Sequence, residues 1–128
     1  LPILAGPLPA LFIATPVLKT ADAFTLPGAG RLPALVSRLA GRGKQALFIY
    51  GGNWLAEPVS PAGLTASGLY GTSSNQQVLL APADTLLQVD ELVFMRPTQS
   101  EAVLLQFGDV LAVRAGRVVG RWPVFADQ

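Results

Sequence analysis

The sequence predicts a mainly β (α+β) fold: a small mixed or antiparallel, barrel-like β-domain with one or two short helices and a C-terminal β-hairpin. Three observations carry this. Five or more short runs rich in apolar and β-branched residues recur along the chain, against about two segments with helical spacing. Prolines and glycines punctuate those runs. Near the C-terminus two alternating segments flank Ala115-Gly116, a two-residue turn. The 128 residues suffice for one domain with a core and not for two.

Taken in order, "LFIATPVLKT" (11–20) reads as a strand, placed at an edge or bulged because of Pro16. Residues 21–30 read as loop. In "RLPALVSRLA" (31–40), Leu32, Leu35, Val36 and Leu39 recur at helical spacing, with Pro33 in the first turn and Gly41 at the exit. "QALFIYGG" (45–52) is a buried strand ending on two glycines. The segment 53–71 holds Pro58, Pro61, Gly63, Gly68 and Gly71 and reads as mostly irregular. Gln77–Leu80 forms a short strand, and "ELVFMRP" (91–97) a strand that ends near Pro97. Ser100 is placed to cap a short helix over "EAVLLQF", stopped by Gly108. "DVLAVR" and "RVVGRWPVF" are the hairpin, its second strand at an edge where Pro123 stands. Trp54 and Trp122 read as packing residues.

Composition narrows the function. Charged residues are 13% and hydrophobic residues 51%, so much of the surface is apolar and expected to be covered, by the rest of a longer chain or by a second subunit. The net charge is +1 and the cations are scattered, which argues against nucleic acid. No Cys is present, so neither a disulfide nor a thiolate zinc site forms. No His is present either, which removes the usual general base and the commonest metal ligand. The N-terminal stretch lacks a basic region, and Pro2, Pro7, Pro9 and Pro16 interrupt it, so it is not read as a signal peptide. No apolar run is long enough to span a membrane without Pro, Gly or charge. The chain starts at Leu1 and reads as a domain of a longer protein, expected in the cytoplasm.

Two polar clusters stand out. "PTQSE" (97–101) is wedged between apolar segments. It is either a site at a strand end, with Thr98, Gln99 and Glu101 projecting into a cleft, or a helix start, with Ser100 or Thr98 capping and Glu101 near the positive end. "YGTSSNQQV" (70–78) offers Ser73, Ser74, Asn75, Gln76 and Gln77, uncharged groups that orient a ligand or form a surface turn. In "IYGGNW" (49–54), Gly51-Gly52 lets the backbone approach a ligand or turn tightly. No Gly-Lys-Ser/Thr follows, so it is not a phosphate loop.

The segment "DELVFMRPTQSEAVLLQFGDVLAVRAGRVVGRWPVF" (90–125) resembles the C-terminal β-domain of the D-threonine aldolase and D-serine dehydratase family. These are pyridoxal-phosphate enzymes of the alanine-racemase-like fold, type III. The family pattern is a strand, a Pro-Asn-His-x-Cys or Pro-Asn-His-x-Asp motif, a short helix, and a hairpin ending in Gly-Arg-x-x-x-Arg-Trp-Pro. Pro97-Thr98-Gln99-Ser100-Glu101 occupies the first motif, and Gly116 to Pro123 matches the second. Ser74-Asn75-Gln76-Gln77 is similar to the family's Ser-Glu-Glu-His segment, and "LFIATPVL" (11–18) to the strand by which such a chain leaves its barrel. The resemblance implies a C-terminal substrate-lid and dimerisation domain of an enzyme acting on D-amino or β-hydroxy amino acids, of lyase, deaminase or racemase type. It further implies a partner N-terminal barrel carrying the Schiff-base lysine and phosphate cup, a homodimer, and no activity or cofactor in this chain alone. Where the family has its metal-binding His, this chain has Gln99, and Glu101 stands at the second ligand position. No tightly held zinc is therefore expected, and Gln99, Glu101, Gln76 and Gln77 would orient the substrate by hydrogen bonds. The alternatives are a non-catalytic binding or scaffolding β-domain and a free-standing β-barrel for an apolar ligand.

Overall fold

Alternation decides which side chains turn inward, and it is regular on the strands that matter most. On β1 (Ile13–Asp22), Ile13, Thr15 and Val17 are buried while Phe12 before it and Ala14 are exposed. On β6 (Leu92–Pro97), Val93 and Met95 are buried, and Leu92, Phe94 and Arg96 are exposed. Period-two burial of this kind is the signature of a strand with one face in a core. The computed structural model describes residues 8–22, 45–67 and 75–124. The helix expected over 31–40 lies outside the described residues.

The remaining elements are β2 (Gln45–Tyr50), β3 (Ala56–Ser60), β4 (Thr65–Ala66), β5 (Gln76–Ala81), α1 (Ser100–Leu104), β7 (Val110–Arg114) and β8 (Arg117–Trp122). Six strands form one sheet in the order β3-β6-β1-β2-β5-β4, and every pairing in it is antiparallel. The strands at its two ends, β3 and β4, are consecutive in the chain and touch. The sheet therefore curls into a nearly closed barrel, which leaves little open edge. β7 and β8 form a separate two-stranded hairpin.

The barrel interior is a single apolar cluster. Leu47, Ile49, Leu79, Val17, Val93 and Met95 are completely buried in it, and Leu64, Leu87 and Val103 close it from the connecting segments. Each such side chain contributes roughly 1.5–3 kcal/mol on leaving water. Val103 brings the short helix α1 against this cluster, and Trp54 and Phe107 pack beside it, their rings 5.1 Å apart and tilted by 58°.

Two expectations are corrected, on 53–71 and on Trp122, and one, on β1, is narrowed. The segment 53–71, expected to be irregular, contains β3 and β4. Pro58 is tolerated because β3 is the terminal strand of the sheet and its ladder shifts register just past Pro58. Of the two placements expected for β1, edge or bulged, the second holds: it is bulged, between Val17 and Lys19, and is a central strand. Its position is possible because β1 changes neighbours along its length: residues 13–16 pair with β6, and pairing with β2 begins at Val17. Val17 directs both backbone groups to the β6 side, donating to the Glu91 carbonyl and accepting from the Asp90 N–H, each at 2.9 Å. The Pro16 nitrogen thus faces the other side, before the β2 ladder starts, and no bond is lost. Trp122 is 64% exposed and is not a packing residue, because the hairpin has no second sheet against it among the described residues.

Candidate functional site

The polar stretch 97–101 leaves the end of β6 and is tied down at once. The Thr98 backbone N–H and its hydroxyl both donate to the Leu55 carbonyl, at 2.7 and 2.9 Å. Gln99 follows in an extended conformation (φ −133°, ψ 93°) at the N-cap of α1, and its carbonyl accepts from the Val103 N–H at 3.2 Å. Its side chain makes no capping bond. Ser100 is the first helical residue and not the cap, and Thr98 is engaged with Leu55, so neither hydroxyl does the capping expected of it. Glu101 lies in the first helical turn, exposed, near the positive end of a helix of only five residues. The backbone here is fixed at both ends, and the Gln99 and Glu101 side chains point away from the core.

The second cluster enters on β5. Gln76 stands opposite Tyr50, and both are exposed. Gln77, opposite Ile49, turns inward and is 8% exposed. Its neighbour is the Gly51 backbone: a β-carbon built on Gly51 would lie 3.2 Å from Gln77 Oε1 and 3.6 Å from the Trp54 ring. Gly51 also has φ +151°, and Gly52 φ +89°, values that L side chains rarely adopt. The glycine pair is thus a close backbone approach that makes room for a buried amide.

The two clusters meet the same loop from opposite ends. Residues 51–55 pack on Gln77 through Gly51 and accept Thr98 through Leu55. Gln77 is inside the barrel end, however, whereas Gln76, Gln99 and Glu101 are on the surface. No metal-ligating group of three or more acidic side chains occurs among the described residues. Lys19 holds its Nζ 5.6 Å from the centre of the Phe48 ring on the outside of the sheet, a surface cation–π contact.

A different concavity lies elsewhere, and the sequence reading missed it. A groove of about 620 Å³ runs between the outer face of the sheet and the hairpin. Its walls are apolar: Phe12 and Phe94 from the sheet, Leu104 and Phe107 from the helix region, Leu111 and Val113 from β7. None of Gln76, Gln77, Gln99 and Glu101 lines it. The signal for it was in the strands. "LFIATPVL" and "LVFM" carry large apolar residues at both parities, which an ordinary half-exposed strand would not. No described helix is long and apolar enough to cross a membrane.

Comparison of the chain with protein-family models, with curated proteins and with solved structures returns no match.

Proposed function

We propose that the chain is the C-terminal β-domain of a larger, cytoplasmic pyridoxal-phosphate enzyme acting on D-amino or β-hydroxy amino acids, of lyase, deaminase or racemase type. In this reading it serves as substrate lid and does not react alone. One observation carries the reading. Gln99 and Glu101 are held at the exit of a core strand, on backbone anchored at Thr98 and Val103, yet the Gln99 side chain makes no capping bond and both side chains are exposed. Exposed polar groups on fixed backbone, at a strand end, are the usual form of a presented site. Their place in the sequence is the one that carries reactive groups in the family the chain resembles. Tyr50 and Leu55, exposed beside the same loop, would be covered by the barrel domain.

The chain's own residues would bind and orient. The Gln99 amide donates to and accepts from substrate polar groups, and the Glu101 carboxylate receives its ammonium or hydroxyl. Gln76 adds a surface amide, and Gln77 fixes the loop 51–55 from inside. The cofactor, held by the barrel domain, supplies the electron sink.

The test uses protein expressed with the reading frame upstream of Leu1. Gln99→Ala and Glu101→Ala should each lower turnover by roughly a hundredfold, since positioned groups are typically worth that much. The melting temperature should hardly move, because both side chains are exposed. Parallel loss of folding and turnover would sink the reading. The 128-residue chain mixed with pyridoxal phosphate should leave the cofactor spectrum unchanged.

The apolar groove favours a second reading, a non-catalytic binding β-domain. Retained activity in both variants, with a hydrophobic dye displaced from the groove by a ligand, would select it.

A further inference from the structure

We propose that residues 31–44 of this chain dock on its own acidic loop 84–92, as an amphipathic helix whose basic flank meets the loop's carboxylates and whose apolar stripe meets its exposed Leu and Val side chains. The inference rests on charge and topology and is independent of the cofactor reading.

The loop between β5 and β6 is a surface made for a counterpart. It carries Asp84, Asp90 and Glu91, with no Lys or Arg from residue 75 to 95. Between these charges Leu86 is 80% exposed, and Val89 and Leu92 about half exposed. The loop backbone is fixed. Leu87 is buried, and the Gln45 side chain clamps it in both directions, donating to its carbonyl at 2.9 Å and accepting from its N–H at 3.1 Å. The Glu91 carboxylate accepts from the Gln88 N–H at 2.7 Å. Val17 on β1 donates to the Glu91 carbonyl and accepts from the Asp90 N–H. A fixed loop that displays three acids and three large apolar side chains is preorganised for a basic, apolar counterpart.

The cations of the described residues are placed elsewhere. Arg96 pairs with Glu57 and Arg121 with Asp109. Lys19 stands over the Phe48 ring. Arg114 and Arg117 belong to the hairpin, which follows the Pro97 end of β6, whereas the loop enters that strand at Leu92.

Residues 31–44 lie outside the described residues, and their composition is the complement of the loop. They carry Arg31, Arg38, Arg42 and Lys44, and no Asp or Glu occurs between Asp22 and Glu57. Leu32, Leu35, Val36 and Leu39 share one face at helical spacing, and Arg31 and Arg38 share a flank of it. The topology brings the two together. The stretch containing these residues leaves β1 at Asp22 and enters β2 at Gln45, and Asp22 and Gln45 are paired in the sheet. Gln45 is also paired with Ala81, the last residue of β5, from which the loop departs. Both ends of the stretch and the start of the loop are therefore at one end of the barrel, and Lys44 directly precedes the Gln45 that holds Leu87. Tethered pieces meet at an effective concentration of about millimolar. Exposed ion pairs that are weak singly then suffice, in combination with apolar contact, to seat the helix. The apolar groove does not compete for the basic flank, because the acid on its wall, Asp109, is already paired with Arg121.

Paramagnetic NMR of the 128-residue chain tests this. The chain has no Cys, so Ser37→Cys accepts a single nitroxide spin label. In the isotope-labelled chain carrying it, the amide signals of Leu86, Val89 and Glu91 should lose most of their intensity and regain it when the nitroxide is reduced. Amides of the hairpin should keep theirs. Arg31→Glu with Arg38→Glu, and separately Asp84→Lys with Asp90→Asn, should each weaken docking about tenfold through opposed like charges and return most of the lost intensity. Asn is chosen at position 90 because Asp90 has φ +72°, which Asn tolerates. Unshifted amide signals in β1, β2 and β5 show that a variant folds, and a label at Ala34→Cys gives the same map if Ser37→Cys does not. Full intensity at the loop, losses on the hairpin instead, or losses that both charge variants leave unchanged would overturn the proposal. So would losses at the loop when unlabelled chain carrying the nitroxide is mixed with isotope-labelled chain lacking it, since the loop would then be occupied by a second copy.

Discussion

Thr15 buries a hydroxyl that has no hydrogen-bond partner among the described residues, at 1% exposure, on the inner face of β1 between Ile13 and Val17 and opposite Val93. A buried polar group left unpaired costs about 1–3 kcal/mol, whereas an apolar group of the same shape does not. Thr15→Val keeps the β-branch and the volume, so it should raise stability by about 1 kcal/mol in urea denaturation. A loss of stability would show that the hydroxyl is employed. The same scale sets what could be read of the site. That Gln77 turns inward is legible in the sequence, because it is two residues before Leu79 on a strand and shares its parity. That it rests on Gly51 is not legible, since this depends on β2 and β5 pairing Gln77 with Ile49. Gln99 and Glu101 were identified by type and by resemblance, and their exposure follows from the helix beginning at Ser100.

Among the elements, the hairpin has a turn that strains one residue. Ala115 has φ +48° and Gly116 φ +73°, the paired positive values of the tight turn that Asn-Gly favours. Ala115→Asn should stabilise the hairpin by roughly 0.5–1 kcal/mol, since Asn enters this region more readily than Ala. NMR amide exchange in β7 and β8 should slow by a few fold; faster exchange would contradict the assignment of strain. The hairpin itself was plain in the sequence, because turn chemistry and alternation agree there. β3 and β4 were not, because Pro58, Pro61 and Gly63 read locally as breakers, whereas Pro58 is accepted on a terminal strand and Pro61 and Gly63 stand in the turn between the two strands. Which of its two expected placements β1 takes, edge or bulged, was undecidable locally for a related reason. Local rules see that Pro16 lacks a donor, but they do not see that its nitrogen faces a side where the ladder has not begun.

At the scale of the whole molecule, the sheet is two halves joined by one strand. β3 and β6 attach to the first part of β1, and β2, β5 and β4 to the second. Opening β1 would expose the core from both sides at once, so its amides should open only with global unfolding. Hydrogen exchange on the 128-residue chain should rank β1 and β2 slowest and the hairpin fastest. Equal protection of hairpin and β1 would mean that the hairpin folds as part of the barrel.

The divided pairing of β1 also dictates an order of events during synthesis. Of the described strands β1 is made before the others, can settle its later residues on β2 once that strand follows, and must keep Ile13 to Pro16 unmatched until β6 is made. Such distant matches are slow to form. In the interval the nascent chain displays a half-clothed apolar ribbon, which is where a chaperone would find its handhold and where a premature stop before Leu92 would leave an aggregating product.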